Sequence, residues 1–140
     1  MAKQYVKQTP RILVTRPKLQ AEALLAAINN LGSEAVALPS IEVVELEDKQ
    51  ALIEGIQGLN KVDIAIFVSR NAVAQAMSLI KAHWRELPMA LQIAAIGRGT
   101  QTALIEQGVA VTILPEQGAN SEALLAEPAL QQVDNKRIII

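Results

Sequence analysis

The segment Ile64–Met77, IAIFVSRNAVAQAM, decides the fold that this sequence predicts. Its first five residues are all apolar, which is typical of a strand buried on both faces inside a parallel sheet. Ser69 is a favourable helix N-cap, and the apolar residues behind it recur at helical spacing. The segment therefore predicts a strand that leads directly into a helix, with Ser69 and Arg70 at the junction.

A second segment, Ile93–Leu104, repeats this pattern with the letters IAAIGRGTQTAL. It predicts a buried strand that ends at Gly97 and a helix that begins between Arg98 and Thr100. In open α/β sheets, ligands bind where strands end and helices begin, because free backbone N–H groups point into the same crevice. The two junctions together predict one ligand-binding edge.

The rest of the chain continues the alternation of strands and helices. Strands are predicted over Arg11–Thr15, Glu34–Leu38, Val109–Leu114 and Lys136–Ile140. Helices are predicted from Lys18 to Leu31, from the Asp48 cap to Gln57, and from the Ser121 cap onward, with Gly32 and Gly108 closing two helices. This alternation predicts an α/β fold of flavodoxin-like lobes with mostly parallel strands.

The composition excludes several functional classes. The net charge of −1 and the aromatic content of 2% offer neither a basic surface nor a stacking platform for nucleic acid. The chain has no cysteine and a single histidine, His83, so we expect no transition-metal site. No apolar run approaches the roughly 20 residues of a membrane span, and we expect a cytoplasmic protein without a membrane partner.

The junction residues leave more than one interpretation open. Gly97–Thr102 is similar to a dinucleotide-binding turn, but Thr102 stands in place of the third glycine, so a nucleotide-binding oxidoreductase is a minor alternative. The strand ends carry hydroxyl, amide and guanidinium groups, which suit a ligand with several carboxylates or phosphates. The same residues could equally be plain helix caps and solvated arginines. A small-anion-binding α/β lobe without catalysis is the main alternative to an enzyme.

Five motifs, taken in order along the chain, resemble uroporphyrinogen-III synthase. They are ILVTRP (Ile12–Pro17), LPSIEV (Leu38–Val43), DIAIFVSRNAV (Asp63–Val73), AAIGRGTQTAL (Ala94–Leu104) and NSEALL (Asn120–Leu125). The resemblance implies a lyase that closes the linear tetrapyrrole hydroxymethylbilane into uroporphyrinogen III, inverting ring D, without a cofactor or metal. It also implies a monomeric full-length enzyme that works mainly by holding its substrate folded.

The resemblance assigns substrate-binding roles to residues at the junctions, and it assigns no catalytic acid or base. Thr100 matches a threonine in the cleft of the family, and we expect it to donate a hydrogen bond to the substrate. Ser69 matches the serine of the turn that follows Phe67. The full set of expected substrate-binding residues is Arg16, Ser69, Arg70, Gly97, Thr100, Asn120 and Ser121.

The resemblance also implies a domain organisation. Residues 1–10 are expected to be a flexible lead-in, and residues 11–38 the opening βαβ unit of a split first domain. Residues 39–43 are expected to be one connector strand, and residues 44–140 a second domain that lacks its C-terminal part. We therefore expect the front part of a longer protein, inactive or weakly active alone, whose uncovered last strand promotes self-association.

Overall fold

The computed structural model describes residues 9–140, so most of the predicted lead-in over residues 1–10 lies outside the described residues. The chain forms two compact units that divide between Val44 and Glu45. Parallel strands connected by helices occur in both units, which confirms the predicted α/β class.

The first unit is one βαβ element. Strand β1 (Arg11–Val14) pairs in parallel with β2 (Glu34–Ala37), and helix α1 (Lys18–Asn30) connects them. Gly32 has a φ of +79° just after α1. A residue in this left-handed conformation commonly ends a helix, and glycine adopts it without steric cost, as the sequence predicts.

Few apolar side chains are buried in the first unit. Among its described residues, only Val14 and Ala21 belong to the buried hydrophobic set. Leucines in α1 and directly after it are open to solvent, with Leu24 39% and Leu31 86% exposed. Regular secondary structure has therefore formed in this unit with little burial of apolar surface.

In the segment after β2, a connector strand is predicted over residues 39–43. The backbone N–H of Ser40 donates to the carbonyl oxygen of Thr15 at 3.2 Å, but the segment pairs with no strand in the part of the chain described. Its side chains Ile41, Val43 and Val44 are exposed. A strand requires a neighbouring ladder, and residues 9–140 contribute none at this segment.

The second unit contains a three-stranded parallel sheet. Its strands are β3 (Ile64–Phe67), β4 (Gln92–Ala95) and β5 (Ile138–Ile139), in the order β4-β3-β5. Its helices are α2 (Gln50–Gln57), α3 (Arg70–His83), α4 (Arg98–Glu106), α5 (Ser121–Leu125) and α6 (Pro128–Gln131), with a 3-10 turn at Leu59–Lys61. The predicted central strand is thus the middle strand of this sheet.

Apolar clusters cover both faces of β3. One face packs with α2, α3 and α4, and includes Phe67, Val73 and Leu104. The other packs with α5 and α6, and includes Ile64 and Leu124. The prediction of a strand buried on both faces is confirmed over Ile64–Phe67. It is wrong for Val68, which is 47% exposed because the strand has already ended there.

The strand predicted over Val109–Leu114 is reduced to a single bridge between Ala94 and Ile113, next to Thr112. The Thr112 hydroxyl accepts a hydrogen bond from the N–H of Ile93 and donates one to the carbonyl oxygen of the same residue. The Thr112 side chain therefore makes hydrogen bonds to the backbone of Ile93 of the kind that a neighbouring strand would make. The last strand is likewise shorter than predicted, because only Ile138–Ile139 pairs with β3.

Candidate functional site

The candidate site of the second unit lies at the carboxyl edge of its sheet. Strands β3 and β4 are parallel neighbours, and Ile113 forms a parallel bridge on the far side of β4. The segments that follow these three positions therefore lie side by side. A Cβ atom added to Gly99 would lie 4.0 Å from Cδ of Arg70, and one added to Gly97 would lie 2.6 Å from Cβ of Ala119. The two predicted junctions and the segment before α5, which follows the bridge at Ile113 and is called the third junction below, form one continuous edge.

At the first junction, Ser69 caps α3 as the sequence predicts. Its backbone is extended, and its Oγ accepts a hydrogen bond from the N–H of Ala72 at 3.0 Å. Arg70 is exposed in the first turn of α3 and forms no ion pair with any of residues 9–140. The junction therefore presents a guanidinium group to solvent beside a helix N-terminus, which is a favourable place for an anion.

At the second junction, the first turn of α4 leaves backbone donors available. The carbonyl oxygen of Gly97 accepts from the N–H groups of Thr100 and Gln101 at 3.1 and 3.0 Å. The N–H groups of Arg98 and Gly99 donate to no acceptor in the described part of the chain. These are the unpaired donors that a helix N-terminus offers to an anionic ligand.

Thr100 is the one polar residue in the buried set of residues 9–140, with 5% of its surface exposed. Its hydroxyl has no hydrogen-bond partner within that range. Every polar side-chain atom of residues 9–140 that is fully enclosed does have a partner, so the Thr100 hydroxyl is not fully enclosed. The Thr100 oxygen therefore keeps access to solvent. Because this hydroxyl is open to solvent and is used by no protein acceptor, it can donate to a ligand without breaking a hydrogen bond within the chain.

At the third junction, the structure corrects the predicted cap. Asn120, rather than Ser121, caps α5, because Oδ1 of Asn120 accepts from the N–H of Ala123 at 2.9 Å. Ser121 is the first helical residue and is exposed. Both residue types are good N-caps, so local preference could not separate them. The turn at Gly118, with a φ of +85°, precedes the cap by two residues.

Arg16 belongs to the first unit. It is exposed between β1 and α1, and it forms no ion pair with the residues that the structure describes. The other six expected substrate-binding residues all belong to the second unit, where they follow β3, β4 and the bridge at Ile113.

No cluster of three or more His, Cys, Asp or Glu side chains that could hold a metal ion occurs within residues 9–140. Nδ1 of the exposed His83 lies 2.9 Å from the carbonyl oxygen of Leu79, in its own helix. Within the same range, no helix has both the length and the apolar character to cross a membrane.

A cavity of about 420 Å³ lies at the opposite end of these helices. Its lining comes from the carboxyl ends of α3 and α4 and from the start of β4, and it includes Trp84, Leu91 and Val109. None of the expected substrate-binding residues borders it. Helix N-termini favour anions, and ligands of open α/β sheets bind beyond the carboxyl ends of the strands. We therefore place the candidate site at the sheet edge rather than in this cavity.

Comparison with known proteins gives a consistent result. The family described as uroporphyrinogen-III synthase HemD matches residues 22–140. Uroporphyrinogen-III synthases of Salmonella typhimurium and Escherichia coli are 35% and 33% identical to the chain over 129 residues, which are 92% of it and 52% of each relative. The Proteus mirabilis enzyme is 30% identical, with 65% of its length covered. The chain thus spans about half the length of the first two relatives. It belongs to the uroporphyrinogen-III synthase HemD family.

Proposed function

We propose that this chain supplies part of a uroporphyrinogen-III synthase, which closes hydroxymethylbilane into uroporphyrinogen III with inversion of ring D. Family membership supports the reaction class. The observation that carries the proposal is the first turn of α4, where the unpaired Thr100 hydroxyl lies next to the free N–H groups of Arg98 and Gly99. Such a site suits the acetate and propionate groups on the rings of this substrate.

The chemistry proposed for the site is mainly positioning. Loss of the substrate hydroxyl leaves an electrophilic azafulvene, which the terminal pyrrole attacks through a spirocyclic intermediate. Binding several carboxylates at one sheet edge holds the two ends of the linear molecule near each other, so the entropy of closure is lost on binding. The N–H donors of α4 and the Arg70 guanidinium hold the carboxylates, and the Thr100 hydroxyl donates to one of them. No residue is assigned as an acid or base.

The proposal includes the domain organisation expected from the resemblance. Residues 11–38 open a split first domain, residues 39–43 act as one connector strand, and residues 44–140 begin the second domain. The exposed apolar side chains Ile41 and Val43 support this role for the segment, because such side chains suit a strand that acquires a partner. The full-length enzyme is proposed to be a cytoplasmic monomer that uses no cofactor.

Thr100→Val in the full-length enzyme tests the proposal. Valine keeps the shape of threonine but removes the hydroxyl, so kcat/KM for hydroxymethylbilane should fall about 10- to 100-fold, as expected for one lost hydrogen bond to a charged group. The assay separates isomers I and III of the product. Thr102→Val is the matched control, because Thr102 is exposed on the same helix and its hydroxyl donates only to the carbonyl oxygen of Arg98. Equal kinetics for the two variants would contradict the role of Thr100.

A small-anion-binding lobe without catalysis is the second candidate, and the exposed, unpaired Arg70 favours it. In that case, inorganic phosphate or small dicarboxylates should raise the thermal unfolding midpoint of the chain in a saturable way, and Arg70→Gln should abolish the effect. The full-length protein should then produce no isomer III above the spontaneous background. Enzymatic formation of isomer III would reject this candidate.

A further inference from the structure

We propose that Ala119 is a positioning residue whose methyl group occupies the space left by the missing side chain of Gly97. This contact sets the distance between the N-terminus of α4 and the loop that precedes α5 (residues 115–120). The part that concerns substrate rests on the proposed function, whereas the contact itself can be tested without a ligand.

The steric evidence lies at Gly97, which is buried in an extended conformation with a φ of −176°. Any residue can adopt that conformation, so the backbone does not require glycine there. The requirement comes from space, because an added Cβ would lie 2.6 Å from Cβ and 3.4 Å from Cα of Ala119. Gly108 shows the opposite case, with a φ of +82° and no atom within 4 Å of an added Cβ.

The loop that carries Ala119 is held on its other side as well. Gly118 has a φ of +85°, and a Cβ added there would lie 3.1 Å from Cβ of Ala123. At the end of the loop, Oδ1 of Asn120 accepts a hydrogen bond from the backbone N–H of the same Ala123. Pro115, at the start of the loop, is buried. A displacement at Ala119 should therefore move Asn120 with it.

The contact matters because it joins two of the junctions that form the candidate site. On one side is the first turn of α4, with its unpaired N–H groups and the unpaired Thr100 hydroxyl. On the other are Asn120 and Ser121. A ligand whose carboxylates reach both sides requires a fixed spacing, which the contact between Gly97 and Ala119 supplies. Gly97→Ala would require the loop to retreat by roughly 0.8 Å before the two methyl groups reach ordinary contact of 3.4 Å.

The structural arm of the test compares the amide chemical shifts of this chain, without ligand, between the wild type and three variants. Gly97→Ala should shift the amides of residues 118–123, and the double variant Gly97→Ala/Ala119→Gly should return them toward the wild-type positions. Gly99→Ala is the matched control, because the nearest atom to its added Cβ, Cδ of Arg70, is 4.0 Å away. An unchanged loop in Gly97→Ala would overturn the contact, as would a failure of the double variant to restore it.

The functional arm measures kinetics with hydroxymethylbilane in the full-length enzyme. Gly97→Ala should raise KM about tenfold with a much smaller change in kcat, and Ala119→Gly should restore KM in the double variant. A loop that moves without a change in KM would overturn the positioning role. If the wild-type enzyme forms no isomer III, the proposed function fails together with the substrate role, and the structural arm still decides the contact.

Ala119→Gly alone keeps the test valid if Gly97→Ala does not fold. Removing the methyl group leaves a gap at Gly97 rather than an overlap, so the chain should fold with a nearly unchanged melting temperature. The amides of residues 118–123 should broaden or shift, and KM should rise about twofold to fivefold. Unchanged amides and an unchanged KM would overturn the proposal.

Discussion

The two compact units of this chain use the same local pattern but differ in how much apolar surface they bury. Each has an apolar strand followed by a helix, and a helix that ends at a glycine of positive φ, Gly32 in one and Gly108 in the other. In the unit that begins at Glu45, apolar clusters cover both faces of β3. In the other unit, the described residues bury only Val14 and Ala21. Local pattern therefore predicts helices and strands without predicting how strongly they are stabilised.

Neighbouring strands account for much of this difference. Strand β3 has a parallel partner on each side, whereas β1 pairs with β2 alone among the described residues. A strand with two neighbours and covered faces places nearly all its side chains in apolar contacts. Fully burying one large apolar side chain stabilises the fold by roughly 1.5–3 kcal/mol. A βαβ unit with one strand pair leaves most of its apolar surface in water. We expect its free energy of unfolding to depend correspondingly little on its own leucines.

The largest expected effect is a contrast between two leucines. Leu104 on α4 is fully buried, so Leu104→Ala should lower the free energy of unfolding by about 2–5 kcal/mol through lost burial and a residual cavity. Leu31, at the end of α1, is mostly exposed, so Leu31→Ala should change that free energy by less than about 0.5 kcal/mol. Urea denaturation followed by circular dichroism measures both. Equal losses would mean that the first unit is as well packed as the second.

Helix caps offer an intermediate effect. Ser69→Ala and Asn120→Ala each remove a side-chain acceptor from a backbone N–H, and each should lower the free energy of unfolding by about 1 kcal/mol. Ser121→Ala, one residue beyond the Asn120 cap, is the control and should change stability by less than about 0.5 kcal/mol. Thermal unfolding of the three variants tests this assignment. A larger loss for Ser121→Ala than for Asn120→Ala would restore Ser121 as the cap.

The smallest expected effect concerns Glu45, the first residue of the second unit. A hydrogen bond from Nζ of Lys49 at 2.8 Å and the charge of that ammonium hold the pKa of Glu45 below its usual value. Because the folded pKa is depressed, the contribution is present above the unfolded pKa and disappears as pH falls through the folded one. Titration of the Glu45 side-chain carbon by NMR measures the shift, which Lys49→Met should abolish. The pair is exposed, so salt should weaken it. An unchanged Glu45 pKa in Lys49→Met would show that Lys49 does not cause the shift.

Features that depend on residues close in sequence were predictable. The Ser69 cap joins residues three positions apart, and the positive φ after α1 and α4 follows from a glycine at each helix end. The carboxyl-edge location of the candidate site was also predictable, because consecutive parallel strands place their ends at one edge. The prediction was weakest where a strand meets its partner, as at residues 109–114, because strand pairing depends on residues far away in sequence.

The sequence by itself determined the α/β alternation, a central buried strand that begins at Ile64, and the residue types that gather at its carboxyl edge. Tertiary structure alone decided that the Thr112 hydroxyl bonds the backbone of Ile93 and that Gly97 provides space rather than flexibility. The physical reason is range: a cap or a helix-ending glycine acts within one turn of chain, whereas a 2.6 Å approach between positions 97 and 119 exists only after folding brings the two segments together.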